Sequence, residues 1–183
     1  MKLHRFYVAP STAALEHDFW LRDAALLRQW RKVLRLQPGH EVVLFDGAYT
    51  ERLYSIEAYG DDAAHLQMVT EFVPKLPVRE VTLLWSLLKK DKDEWVLQKA
   101  TELGVRHFVP MLSERTIATG LNVERAEKIV IEAAEQCGRG DIPTIREPMR
   151  LAAAIEAYAP TMTLCVCEQG SSDTVPATGP VGV

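Results

Sequence analysis

The hydrophobic rhythm of this chain changes once, and the change falls on a proline-rich seam. Up to about residue 73, apolar residues recur mainly with a period of two, in "EVVLF", "RLYSIEAY" and "HLQMVTEFV", and the runs are broken by Pro38-Gly39, Asp46-Gly47 and Gly60-Asp61-Asp62. Alternation bounded by such turn chemistry predicts antiparallel strands. "LHRFYV" predicts a further short strand, and one helix interrupts the pattern over 23–35. Asp23 stands at its start, and Leu26, Leu27, Trp30, Val33 and Leu34 keep helical spacing. The seam is "VPKLPVRE", where Pro74 and Pro77 mark a linker.

Beyond Glu80 strands alternate with helices. "EVTLLWSLL" is a nearly continuous apolar strand, and "DKDEWVLQKATELG" is a helix with Asp91 or Asp93 at its start and Gly104 past its end. "VRHFVPM" is the next strand. A helix over 122–138, another in "MRLAAAIEAYA" and the strand "TLCVC" follow. Repeated units of this kind imply a mostly parallel sheet with crossover helices. The fold class is therefore α/β with a β-rich N-terminal domain, the first domain covering 1–73 and the second 78–183.

With 183 residues, 48% of them hydrophobic, the chain can bury a real core. It has no apolar run of membrane-spanning length, and "MKLHRFYVAP" lacks the apolar region of a signal peptide, so a cytoplasmic protein without membrane contact is expected. Three cysteines do not make a disulfide framework; Cys165 and Cys167 alternate as strand residues would and are expected to be reduced packing residues. No histidine or further cysteine stands at ligand spacing, so no metal is expected.

Net charge is −4, against a generic nucleic-acid binder, yet the charge is unevenly spread. Before residue 40, Lys2, Arg5, Arg22, Arg28, Arg31, Lys32 and Arg35 face only Glu16, Asp18 and Asp23, a local excess of seven over three. Such asymmetry points to an anionic partner, with a solvated helix face on "DAALLRQWRKVLR" as the plain alternative.

Nucleotide-binding glycine fingerprints and a hydrolase nucleophile word are absent from the sequence. Three polar clusters remain. "LLKKDKDEW" sets Lys89, Lys90 and Lys92 beside a helix start, where phosphates bind well. "PMLSERT" sets Ser113, Glu114 and Arg115 after a strand, and an arginine there can clamp a phosphate or carboxylate at two points. In "EAAEQCGRGDIP", Ala126, Ile129, Val130, Ala133, Ala134 and Cys137 form a buried stripe, while Glu132, Glu135, Gln136 and Arg139 share another edge. An ordinary Glu135 to Arg139 pair, four residues apart, would account for that edge structurally.

Three words of the sequence resemble one family. "VLRLQPGHEVVLFDG", "KKDKDEWVLQKATELGVRHFVPMLSERT" and "EAAEQCGRGDIPTI" are similar, in order and over nearly the whole chain, to the ribosomal RNA small subunit methyltransferase E family. The resemblance implies a PUA-like β-barrel that binds RNA, followed by a methyltransferase domain of the SPOUT class. It implies S-adenosylmethionine-dependent methylation of N3 of a uridine in 16S rRNA, with the small ribosomal subunit as partner and a homodimer as the assembly. Carried over by residue, Arg5, Arg35, Lys89, Lys92 and Gln136 become RNA contacts, and Arg115, Glu135 and Arg139 become catalytic candidates. Lys99 and Glu102 lie in the family's second word. Uracil N3 must lose its proton, so Arg139 or Arg115 would stabilise charge on O2 or O4 and Glu135 would orient them.

The sequence departs from the family in two places. Where the family has a histidine ahead of the first word, this chain reads "LRQWRKVLR". The glycine-rich loop and the later segment that tie the SPOUT trefoil knot around the cofactor are not found, and the sequence stops at "GPVGV". The expectation is an incomplete SPOUT domain lacking the knot segment, with cofactor-binding residues unassigned and no tight binding of S-adenosylmethionine by this chain. The competing expectation is a non-catalytic RNA- or ribosome-binding module.

Overall fold

The computed structural model describes residues 3–114, 116, 120–170, 174 and 178–183, except the side chain of Lys90. The chain divides into two compact units, one formed by Met1–Leu76 with Gly138–Asp141, the other by Pro77–Cys137 with Ile142–Val183.

The first unit is built on a five-stranded sheet. Its strands are β1 (His4–Tyr7), β2 (Asp18–Leu21), β3 (Glu41–Phe45), β4 (Glu51–Tyr59) and β5 (Ala64–Phe72), in the order β1-β3-β4-β5-β2. The long β3, β4 and β5 meander is antiparallel, as the turn residues predict, but β1 lies parallel to β3 with Arg5 beside Val43. A parallel neighbour needs a long crossover, and the chain between β1 and β3 supplies one that includes a helix. Strand β2 has no counterpart among the predicted strands: it is four residues long, and "DFWL" carries no flanking turn signal.

The crossover helix starts where the sequence places it. Asp23 caps α1 (Ala24–Arg28), its carboxylate accepting from the amides of Ala25 and Leu26 at 3.0 Å each. The helix widens into a π-helical stretch, Gln29–Leu34, and stops at Arg35, whose φ of 54° is left-handed. Leu27 and Trp30 turn inward, and the Trp30 ring meets Phe6 at 5.4 Å between centroids. Trp30, Tyr54, Leu44 and Ile56 are among the fully buried side chains of this core.

The second unit is α/β with every described strand pairing parallel. Strands β6 (Val81–Ser86), β7 (His107–Leu112), β8 (Thr144–Ile145), β9 (Met149–Arg150), β10 (Thr163–Leu164) and β11 (Val181–Gly182) form a sheet in the order β10-β11-β6-β7-β8, with β9 also on β7. Helices α2 (Lys90–Glu102), α3 (Val123–Cys137) and α4 (Leu151–Tyr158) complete the alternation. Trp85 and Phe108 from the sheet meet edge to face at 5.8 Å and pack with Leu97, Ala126 and Val130 from the helices.

Three sequence expectations change here. The α3 stripe buries Ala126, Ile129, Val130, Ala133 and Ala134, but Cys137 is exposed because the helix ends on it. The "TLCVC" strand ends at Leu164, leaving Cys165 half-buried and Cys167 exposed, so neither is a core residue. Neither aspartate caps α2. Lys89 holds the cap position in extended conformation, and Asp93 is buried instead, accepting from Trp85 Nε1 at 2.9 Å and from the Leu88 amide at 3.0 Å.

Candidate functional site

In the first unit, the crossover helix carries cations without compensating acids. From Ala24 to His40 there is no Asp or Glu, while Arg28, Lys32 and Arg35 are exposed. Arg35 occupies a left-handed backbone that non-glycine residues rarely adopt, which fixes where the helix ends and the next turn begins. Not every cation is available. Arg31 turns back onto the β4–β5 turn, donating to the carbonyl oxygens of Gly60, Ala63 (3.3 Å) and Asp61 (3.4 Å), with its guanidinium 4.6 Å over the Tyr59 ring. Burial raises the Tyr59 hydroxyl pKa against the opposing pull of Arg31. Arg22 faces Asp62 at 3.7 Å, both exposed.

A second polar group in this unit is buried. Arg5 extends both terminal nitrogens to Glu51, and Nη2 also donates to the Arg139 carbonyl at 3.2 Å. Its guanidinium lies 4.9 Å from the Phe45 ring centroid. Glu51, Arg139 and Asp141 are each only 6% exposed. Arg139 grips Asp141 at two points, Nε to Oδ1 at 2.9 Å and Nη2 to Oδ2 at 2.7 Å, the two-pronged geometry that charge-assisted pairs favour. Between them, Gly140 donates its amide to the Lys75 carbonyl at 2.8 Å. A Cβ on Gly140 would lie 2.6 Å from Pro74 Cβ, so glycine is required by close approach.

The second unit places its polar words at the strand ends. Lys89 and Lys92 are exposed at the start of α2. Lys99 pairs with Glu102 at 2.8 Å, one turn apart on α2. At the end of β7, the Ser113 amide donates to Thr116 Oγ1 at 2.9 Å, and Leu112, Ser113 and Glu114 border an open cleft of about 730 Å³ that Arg150, Leu151, Ala152 and Ile155 also line. Arg115, a catalytic candidate, lies outside the described residues. Glu135 is half-buried and Gln136 exposed in the last turn of α3. A second cleft of about 370 Å³ lies between α2 and α3, where Arg125 holds Glu94 at 3.1 and 3.2 Å.

Among the sequence candidates, then, Arg5 and Arg139 come together in the first unit, while Arg35 sits on the exposed helix end. Two residues that sequence reasoning did not single out, Glu51 and Asp141, organise the first of these places, and Asp93, expected at a helix start, organises the second. Glu51 and Asp141 supply the carboxylates, and Asp93 ties the end of β6 to α2. Asp141 stands two residues beyond Arg139, as the acid of "GRGD".

The sequence model of the RNA methyltransferase domain matches residues 74–179. The chain belongs to that family. Among the curated relatives of this chain, ribosomal RNA small subunit methyltransferase E of Synechocystis is 32% identical over 165 residues, 89% of this chain and 54% of that protein. The protein of the same name from Rickettsia conorii is 27% identical over 151 residues, 82% of this chain and 62% of its own length. The chain thus spans a little over half the length of the curated relatives it matches. The crystal structure of ribosomal RNA small subunit methyltransferase E from Neisseria gonorrhoeae, bound to S-adenosylmethionine, shares the fold: its TM-score is 0.82 at 24% identity, over 99% of this chain and 78% of that one.

Glu114, Arg150, Leu151, Ala152 and Ile155 around the larger of these two clefts are all exposed. The cleft offers one apolar wall and two opposite charges.

Proposed function

We propose that the protein acts in S-adenosylmethionine-dependent methylation of N3 of a uridine in 16S rRNA of the small ribosomal subunit. The observation that carries this reading is the family match over 74–179, joined to relatives of one name that align with up to 89% of the chain. In this reading residues 1–73 are a PUA-like RNA-binding domain and 78–183 belong to a SPOUT methyltransferase domain. The enzyme is a cytoplasmic homodimer, as the resemblance implies.

The roles of the side chains follow from their chemistry. The acid-free helix end with Arg28, Lys32 and Arg35 meets the phosphate backbone, which supplies affinity rather than sequence selectivity. Lys89, Lys92 and Gln136 add contacts from the second unit, and Arg5 is the remaining RNA candidate. The reaction belongs at the carboxyl ends of β6 and β7, where parallel sheets of this type bind ligands. Loss of the N3 proton leaves negative charge on the uracil oxygens, and guanidinium groups held in fixed planes stabilise such charge best. Arg115, Glu135 and Arg139 are the candidates that the resemblance implies for that work, the Arg139 guanidinium being buried and already held at two points by Asp141.

Deletion of the gene tests the reading. Nuclease digestion and mass spectrometry of 16S rRNA should show loss of one N3-methyluridine, restored by the intact gene. An unchanged rRNA methylation pattern in the deletion strain would reject it.

A further inference from the structure

The Gly138–Asp141 segment lies in sequence far from the residues that hold it. It belongs to the first unit although its sequence neighbours on both sides belong to the second. Its contacts in that unit are specific. The Gly140 amide donates to the Lys75 carbonyl, Gly140 lies against Pro74 too closely for any Cβ, and the Arg139 carbonyl accepts from Arg5 Nη2.

Arg5 is itself held at both terminal nitrogens and against an aromatic ring, while its buried Nε has no hydrogen-bond partner among the described residues. Its terminal nitrogens meet both oxygens of Glu51, a residue 46 positions away at the start of β4, and its guanidinium lies over Phe45 on β3. The Arg5 side chain is 17% exposed and that of Glu51 7%. A guanidinium oriented by a buried carboxylate and an aromatic ring has little freedom left, so the oxygen it donates to is fixed in turn. A cation used in this way is poorly placed to meet a phosphate, because its charge is already matched by Glu51.

We infer that Arg5 is a positioning residue: locked on Glu51, it holds the backbone of Gly138–Asp141 and thereby sets the Arg139–Asp141 pair. Its importance for methyl transfer rests on the proposed function and on the catalytic candidacy of Arg139; the tether itself does not. The assignment also separates Arg5 from Arg35, which the sequence groups together as basic RNA contacts.

The test compares Arg5→Lys, Arg5→Gln and Glu51→Gln with the parent. Hydrogen exchange read by mass spectrometry across residues 137–142 reports the tether directly. Binding to a 16S rRNA fragment at several salt concentrations reports phosphate contact, and single-turnover methyl transfer by the complete natural protein reports the catalytic consequence. The expected result is exchange at least tenfold faster in that segment for Arg5→Gln and Glu51→Gln, and RNA affinity and salt slope unchanged. Methyl transfer should fall at least tenfold with KM for RNA unaltered. Arg5→Lys should recover these losses only in part, since an ammonium cannot reproduce the planar fork on Glu51 and also reach the Arg139 carbonyl. A salt slope flattened by about 0.7 to 0.9 with exchange unchanged would overturn the inference and make Arg5 a phosphate contact. If Arg5→Gln does not fold, Glu51→Gln, which keeps the size of the partner, decides by the same exchange measurement. A parent protein that transfers no methyl group would reject the proposed function, while the exchange result would still decide the tether.

Discussion

Two places where polar residues gather in this protein use them in opposite ways. In the first unit, Arg5, Glu51, Arg139 and Asp141 are largely buried, and each charge is paired with its opposite. In the second, Glu114 and Arg150 both border an open cleft and are exposed. The first arrangement fixes the backbone between elements distant in sequence; the second leaves charge available to something that enters. Residue type alone does not distinguish them, since both are arginines with acids. Burial and partner geometry do.

The difference between the two clusters can be broken first at Asp141. Asp141→Ala leaves the buried Arg139 guanidinium without its two-point carboxylate, and removal of one partner from a buried pair costs about 3–5 kcal/mol. Urea denaturation should show a loss of that order. Next comes Gly140→Ala, whose new methyl would meet Pro74 Cβ at 2.6 Å and Pro74 Cα at 3.1 Å, where backbone must move. Overpacking of this kind costs about 1–3 kcal/mol and should be visible in the same experiment.

A smaller effect belongs to the β3–β4 turn. Asp46 Oδ1 accepts from the amides of Ala48, Tyr49 and Thr50 at 2.8, 2.9 and 2.9 Å. Its burial alone would raise the carboxyl pKa, but the hydrogen bonds from Thr50, Ala48 and Tyr49 outweigh it and the pKa lies below the ordinary value. Because the folded pKa is the lower one, the stability it contributes is present above the unfolded value and is lost as pH falls through the folded one. Asp46→Ala should cost about 1 kcal/mol at neutral pH, with the gap from the parent closing below about pH 4. Smallest of all should be Glu114→Gln with Arg150→Gln. These exposed changes should move stability by less than about 0.5 kcal/mol, while methyl transfer should fall.

Much of this architecture is legible in the sequence because it is written in short-range pattern. The Asp23 cap, the helix beyond it and the β3–β5 meander follow from capping chemistry, periodicity and turn residues. The alternation after Glu80 likewise announces a parallel sheet. Strand β2 does not show, because four residues cannot establish a period and pairing with β5 supplies what the local signal lacks. Cys137 sits on the apolar stripe by arithmetic, yet the stripe loses its neighbours where the helix stops. In the candidate site, the exposed cations of α1 and its extension are legible as a run without acids. The role of Arg5 is not, because its partner lies 46 residues on and nothing local marks Glu51 as buried. Asp93 is likewise hidden: its place near a helix start suggests a cap, whereas the carboxylate turns under the sheet to Trp85.

The central claim, that this RNA methyltransferase family member serves methylation of small-subunit rRNA, is tested most directly by transfer of label. The complete natural protein is incubated with methyl-labelled S-adenosylmethionine and with 16S rRNA or small subunits from the deletion strain. The account predicts incorporation of one methyl group per 16S rRNA, recovered as N3-methyluridine after nuclease digestion, and no incorporation into large-subunit rRNA. Absence of label in 16S rRNA, or its appearance on another base or another RNA, would contradict it.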